Sequence, residues 1–291
     1  MSIQRLCELA GVSRASFYRD WEQKSATEAE MALRDAVQRI ALAHRRYGYR
    51  RITPLLQRAG FVVGQEKVRR ILKNDNLLAL RRRKFVVTTN SDHRFRVRPN
   101  LAESLELTAI NQLWVADITY IRLRSEFVFL ALVLDGFSRK AIGWELGRGL
   151  ETKLALTALD AAIADRRPQP GLVHHSDRGT QYASNEYIQR LESCGAVLSM
   201  SRPGSPWENG KCESFINTLK REEIDARPYG NFGELRRHLV DFIDHHYNKV
   251  RLHSALGYRS PEEFEQSQRP GVRWSPAALS FLRHEEIYPD A

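Results

Sequence analysis

Residues 127–134, FVFLALVL, are eight consecutive apolar residues, and no other stretch restricts the fold so tightly. A strand with no polar face must be covered on both sides, so it belongs at the centre of a sheet layered with helices. The rest of that sheet is readable around it. Residues 113–123, LWVADITYIRL, combine aromatic and β-branched side chains and predict a strand that reaches the central one through a hairpin turn at 124–126. Residues 140–146 predict a third strand. A helix over 152–165 follows, capped by the Thr152 hydroxyl and ended by Pro168 and Pro170. A short strand at 172–173, a helix at 185–194 and a fifth strand at 196–200 complete the pattern. Three strands in sequence and then alternating strands and helices indicate an α/β layer rather than a bundle or barrel.

The chain has 291 residues and a net charge of +10, and that charge is unevenly placed. Residues 1–98 carry 22 basic and 9 acidic side chains, whereas 99–291 carry 23 and 26. The front third is thus the electrostatic footprint for a polyanion, best matched by nucleic acid. Its elements are helical. Ile3, Leu6, Leu9 and Ala10 share one helix face, Gly11 breaks it, and Ser13 caps a second short helix, a helix-turn-helix spacing that offers Arg14 and Arg19 to DNA. A helix over 27–46 starts at the N-cap Thr27 and ends at the basic residues His44, Arg45 and Arg46. The next helix begins near Arg50 and Arg51 with Pro54 early in it, and after Gly60 a helix over 65–74 turns Val68, Ile71 and Leu72 inward and leaves Arg69 and Arg70 outward. Residues 80–100 have no helical period and are rich in arginine. Arg81, Arg82, Arg83 and Lys84 mark this segment as an extended arm that orders on a phosphate backbone.

Three acids in the body are candidates for one centre. Asp117 lies midway along the first strand, Asp177 just beyond the fourth, and Glu213 in a helix whose Phe215, Ile216 and Leu219 face the sheet. Pairing of the first and fourth strands would bring the two aspartates together. Oxygen-only ligands suit Mg²⁺ or Mn²⁺ rather than zinc, and two such ions activate an attacking oxygen and stabilise a leaving one in phosphodiester chemistry. Asp135, in Leu134-Asp135-Gly136, reads as a turn residue and not as a fourth ligand. Cys7, Cys194 and Cys212 are widely separated and read as reduced thiols, and no apolar run is long enough to span a bilayer.

The blocks NQLWVADITYI, FLALVLDGFSRKAIGW, HHSDRGTQYAS, PWENGKCESFINTLKREE and HHYNKVRLHSALGYRSPEEF, in this order, resemble the second-reading-frame transposase of bacterial insertion sequences of the retroviral-integrase-like group. YGYRRITPLL, VRRIL and TTNSDHRF extend the likeness upstream. The resemblance implies a ribonuclease-H-like mixed five-stranded sheet with flanking helices, preceded by small all-helical DNA-binding units. It implies metal-binding catalytic residues at Asp117, Asp177 and Glu213, the last two separated by 35 residues, and a DNA contact at Lys220 two helical turns after Glu213. His175, Ser176, Arg178 and Gln181 would position the second acid, with Arg178 also near DNA, and Tyr247, Asn248, Arg251 and His253 would combine packing with phosphate contact. The sequence departs from the pattern at Glu208-Asn209, where the family has Asp-Asn, and residues 203–209 are expected to form a loop that closes on DNA.

The expected organisation is a short helix-turn-helix at 1–26, a helical DNA-binding domain at 27–79, a basic linker at 80–104, the catalytic core at 105–265 and a C-terminal extension at 266–291. The leading expectation is a cytoplasmic DNA transposase that cuts and joins insertion-sequence ends as a homo-oligomer on duplex DNA. Such a chain would act alone or fused to an upstream-frame protein. Competing readings are a catalytically inactive DNA-binding or regulatory protein, which needs no metal, and a structure-specific nuclease, which cuts without strand transfer.

Overall fold

The computed structural model describes residues 2–15, 27–79, 98–202 and 205–268, and the chain divides into two compact units, the front third and the body. In the first unit, α1 (Ile3–Ala10) starts at the Ser2 cap and ends at Gly11, which takes the left-handed conformation. Residues 14 and 15 are helical, while 16–26 lie outside the described residues, so most of the second helix expected there does too. Helix α2 (Glu28–Ala43) opens with a capping box in which Thr27 and Glu30 satisfy each other's backbone amides. Helices α3 (Tyr49–Arg58) and α4 (Gln65–Asn74) are joined by a turn at Gly60, whose φ is +90°. Leu33, Val37 and Ile40 of α2, Ile52, Leu55 and Leu56 of α3, and Val68 and Leu72 of α4 form the buried core of this three-helix unit. Arg34 and Gln38 bind the carboxylate of Asp75 and so fasten α2 to the end of α4. Pro54 lies in the second turn of α3 rather than its first, because the helix begins at Tyr49.

The body is built on one five-stranded sheet, ordered β3-β2-β1-β4-β5. Strands β1 (Leu113–Arg122), β2 (Phe127–Asp135) and β3 (Ala141–Gly147) form an antiparallel meander, while β4 (Val173–Ser176) runs parallel to β1 and β5 (Val197–Met200) parallel to β4. Alternation along β1 assigns its two faces. Val115 and Ile121 meet Cys212, Phe215, Ile216 and Leu219 of α7 (Gly210–Glu222), together with Leu235 and Leu239 of α8 (Phe232–Val240). Trp114 and Ala116 meet α5 (Thr152–Arg166) and α6 (Asn185–Ser193) on the opposite side. This is the ribonuclease-H-like layer, with the apolar run of β2 buried on both faces from Leu130 to Leu134, while Phe127 at its start is exposed.

Two expected details differ. Thr152 is the first helical residue of α5 and not its cap; Glu151 holds the N-cap position with no side-chain bond, and the buried Leu154, Ala155, Ala158, Leu159 and Ala162 hold the helix by packing. Strand β4 is longer than its apolar residues suggest, because His174 and His175 are buried in polar contacts with Tyr187 (3.0 Å) and Ser199 (2.8 Å). Beyond α8 the chain continues as a π-helical stretch, Asp241–Val250, and closes with α9 (Pro261–Ser267). Asn248 in that stretch accepts from the Ala141 amide (3.0 Å) and donates to its carbonyl (2.9 Å), so a side-chain amide completes the pairing of β3 where the β2–β3 register shifts.

Candidate active site

The parallel register sets Ala116 beside Ser176 at the end of β4. Asp117 and Asp177 are the next residues, so Asp117 within β1 and Asp177 just past the end of β4 stand at the same level on strands about 4.8 Å apart. Asp117 follows the alternation that turns Val115 and Ile121 toward α7, the helix that carries Glu213 in its first turn. The Asp177 carboxylate accepts the Gly179 amide at 2.9 Å, and the Asp117 carboxylate accepts the Ile118 amide at 2.8 Å. A Cβ at residue 179 would lie 3.0 Å from Asp177 Oδ1, so glycine leaves the space in which that carboxylate turns back.

Electrostatics ties the three acids together. Desolvation first, then the charges of Asp177 and Glu213, push the Asp117 carboxyl up to about 8 against the opposing pull of the Ile118 amide and of Lys220. Such a cluster of like charges calls for a cation. Among the described residues, however, no three His, Cys, Asp or Glu side chains already stand in metal-ligand geometry. The acids share a field and not yet a point, as expected of carboxylates that repel without a counter-charge, and the Glu213 side chain remains exposed. The donor set still fits a hard cation. Its atoms are carboxylate oxygens, and the buried thiol of neighbouring Cys212 is pushed well up by burial, then by Asp117 and Asp177, so it stays protonated and supplies no soft ligand.

Asp135 takes the turn role read from the sequence. It is fully buried and accepts the amides of Asn111 (2.7 Å), Phe137 (2.9 Å) and Ser138 (2.8 Å), which fixes the connection between β2 and β3.

Comparison with known proteins decides the family. Residues 108–206 and 195–261 match models of the integrase core domain, and residues 28–85 match an HTH-like domain. The chain is 35% identical to the transposase of insertion sequence element IS904 from Lactococcus lactis over 84% of its own length and 96% of that protein. It belongs to the insertion-sequence transposases. A 31 kDa protein of insertion element IS600 from Shigella sonnei is also 35% identical, over 90% of this chain and 97% of that one. The InsF transposase of IS3A from Escherichia coli is 32% identical over 91% and 94%. Among solved structures, the catalytic core of HTLV-2 integrase in complex with magnesium matches at 15% identity and a TM-score of 0.41, over 54% of this chain and 97% of that one. The transposase is accordingly a polynucleotidyl transferase that acts in DNA transposition.

The transposase distributes its expected DNA-binding residues unevenly. Arg14, Arg50, Arg69 and Arg70 are exposed, and Arg51 is half-buried with its guanidinium 4.7 Å from the centre of the Tyr47 ring. Arg19, Arg81, Arg82, Arg83 and Lys84 lie outside the described residues. Arg178 donates to the Ser201 carbonyl at 2.8 Å, which braces the turn after β4. Arg251 differs from expectation. It is only 3% exposed and forms a two-pronged ion pair with Glu222 (2.8 and 2.9 Å), with Thr218 at 3.4 Å, so it clamps the end of α7 and presents no free surface to a phosphate. Of the residues expected around the second acid, Gln181 donates to the Leu150 carbonyl and Ser176 to the Asp177 carbonyl.

Lys220 is half-buried, with its ammonium 4.8 Å from the centre of the Tyr120 ring. Desolvation lowers its pKa, while Asp117 and Asp225 oppose the shift. Burial matters too for Tyr182, which sequence reasoning missed. Its hydroxyl is buried without a hydrogen-bond partner and its pKa is raised well above normal by burial, with Asp117 and Asp177 adding to the effect. Tyr120 and Tyr182 give no motif of their own, because aromatic residues in a strand and a turn read as core. Of the expected loop at 203–209, residues 203 and 204 lie outside the described residues, and 206–209 form a 3-10 turn. Glu208 accepts from the Arg202 amide (2.7 Å) and guanidinium (2.5 Å), so the glutamate at this position clasps the base of that loop.

Proposed function

We propose that Asp117, Asp177 and Glu213 are the catalytic residues of this transposase, that they jointly hold Mg²⁺ or Mn²⁺, and that the enzyme cuts the ends of its insertion sequence and joins them to target DNA. The observation that carries the reading is the parallel register that brings Asp117 and Asp177 level with each other on the face covered by the helix of Glu213. When bound, a pair of divalent ions supplies a polarised phosphate, an activated attacking hydroxyl and a stabilised leaving oxygen. The protein's own residues supply the rest. Asp117 gives up the proton that its environment retains up to about pH 8, and thereby becomes a ligand. Lys220, on the same face of α7 as Glu213, offers a positive charge beside Asp117 to the DNA backbone. Arg50, Arg69 and Arg70 of the helical unit engage duplex DNA at the terminal repeats, and pairing of two ends calls for more than one copy of the chain.

Asp177→Asn tests the proposal. The variant should lose cleavage and strand transfer of a terminal-repeat duplex in Mg²⁺ and keep its affinity for that duplex. Cleavage at the wild-type rate would remove Asp177 from the site, and cleavage by the wild type without any strand transfer would favour a nuclease instead.

A further inference from the structure

Asn209 occupies the N-cap of α7, the position at which asparagine ordinarily accepts an amide of the first helical turn. Here it makes no such cap bond. Its side-chain amide donates instead to the carbonyl of Ala116 at 3.0 Å, in a buried contact 93 residues away along the chain. The helix gives up a favourable cap for this tie, and the location of the tie shows what it holds. Ala116 immediately precedes Asp117 and is in register with Ser176, which immediately precedes Asp177. Glu213 is one helical turn after Asn209, on the same side of the helix. A single hydrogen bond therefore joins the immediate neighbour of Asp117, itself paired with the neighbour of Asp177, to the start of the helix that carries Glu213.

We propose that Asn209 is a positioning residue that sets the Glu213 helix against the strand of Asp117, and so determines whether the three acids can close on a divalent cation. This rests on the triad reading above. The rest of the turn supports the assignment. Glu208, beside Asn209, is held by Arg202, so the turn is anchored on one side by that clasp and on the other by the Ala116 carbonyl. The amide oxygen of Asn209 is buried without a partner, so Ala116 receives its only hydrogen bond among the described residues. Removing the Nδ2 donor is therefore a clean change. Glu213 has no comparable side-chain tie of its own among the hydrogen bonds described, and its placement follows the helix backbone.

The test uses the full chain without DNA and Mn²⁺ alone as probe, with binding read by titration calorimetry and thermal midpoints measured in EDTA. Asn209→Leu keeps the number of side-chain heavy atoms and deletes the donor; Asn209→Gln restores a donor on a side chain one methylene longer. Asn209→Leu should weaken Mn²⁺ binding by about tenfold or more, as loss of an orienting partner does at metal sites. Asn209→Gln should recover a measurable part of that loss, and Asp177→Asn should abolish binding. A purely structural asparagine would lower the midpoint in EDTA in both Asn209 variants and leave the Mn²⁺ affinity of the folded protein unchanged, which overturns the proposal. Equal loss of affinity in the Leu and Gln variants would overturn the role of the donor. Wild-type Mn²⁺ binding by Asp177→Asn would instead overturn the triad reading, and the role of Asn209 with it.

Discussion

At the scale of single residues, Asp117 carries a cost in the metal-free protein. Burial pushes its carboxyl up to about 8, well above the usual carboxylate range, so the folded state holds the proton more tightly than the unfolded chain. The sign follows from linkage: this group's contribution to stability is fully present below about pH 4 and is lost as pH rises toward 8. Asp117→Asn removes the loss. In EDTA at pH 8 the variant should be about 1–3 kcal/mol more stable than wild type, a rise in Tm of roughly 2–4 °C per kcal/mol, and at pH 4 the two should melt together. Scanning calorimetry at both pH values checks this, and Mg²⁺ should then stabilise wild type more than the variant. Arg251 makes the converse case. Its truncation takes the two-pronged partner from the buried Glu222 carboxylate and leaves Arg221 at 3.4 Å, so Arg251→Ala should cost on the order of 3 kcal/mol. It should leave the salt dependence of DNA binding by the folded protein unaltered, whereas a phosphate-contacting arginine would lower that slope by about 0.9.

Among the secondary-structure elements, β3 and α5 come close enough at Gly143 to leave no room for a side chain. A Cβ at Gly143 would lie 2.2 Å from the Ala158 carbonyl oxygen and 2.7 Å from the Ala162 nitrogen, both backbone atoms that cannot swing aside. Gly143→Ala should therefore destabilise the body by about 3 kcal/mol or more, measured by urea unfolding; a neutral result would mean that α5 sits farther from the sheet. Helix α4 poses a different question, since Arg69 and Arg70 are exposed and the apolar Val68 and Leu72 are committed to the core. Neutralising both arginines should reduce the log–log salt slope of duplex binding by about 1.8 if each meets a phosphate, and an unchanged slope would turn that face away from DNA. These elements were largely legible in the sequence wherever periodicity carried them. The apolar run of β2, the alternation of β1 and the inward face of α4 all come from side-chain pattern alone. Strand β4 was only half legible, because its buried residues His174, His175 and Ser176 look like surface and become core only through Tyr187 and Ser199, which other segments supply. The place of Asp117 and Asp177 could be read because one lies within a strand and the other directly follows one. The role of Asn209 could not, since a cap residue and a long-range tie look identical until the partner carbonyl is known.

The body as a whole is closed by contacts that no local pattern announces. Glu265 of α9 accepts two hydrogen bonds from Arg166 at the end of α5 (2.6 and 3.1 Å) and one from Ser138 in the β2–β3 turn (2.6 Å), with Lys140 at 3.8 Å. Ser138 in turn gives its amide to the buried Asp135. One carboxylate thus ties α9 to two segments, the end of α5 and the β2–β3 turn, whose residues are 99 and 127 positions away in the chain. Glu265 directly follows the SPEEF block of residues 260–264, and only the fold reveals which arginine it meets. Both side chains are nearly buried, at 8% and 11% exposure, so removing one partner strips the other of its two-pronged counter-charge and leaves Glu265 with Lys140 at 3.8 Å or Arg166 with Asp165 at 3.2 Å. Glu265→Ala should cost on the order of 3–5 kcal/mol, and the double variant with Arg166→Ala should cost less than the sum of the single variants by about 1–3 kcal/mol. Additive losses in the double-mutant cycle would mean that the pair contributes no mutual interaction. Because Asp177, Glu213 and Lys220 are the main charges acting on Asp117, the variants that remain folded should retain the wild-type pH dependence of Mn²⁺ binding. A shifted profile would show that α9 communicates with the acids as well as closing the layer.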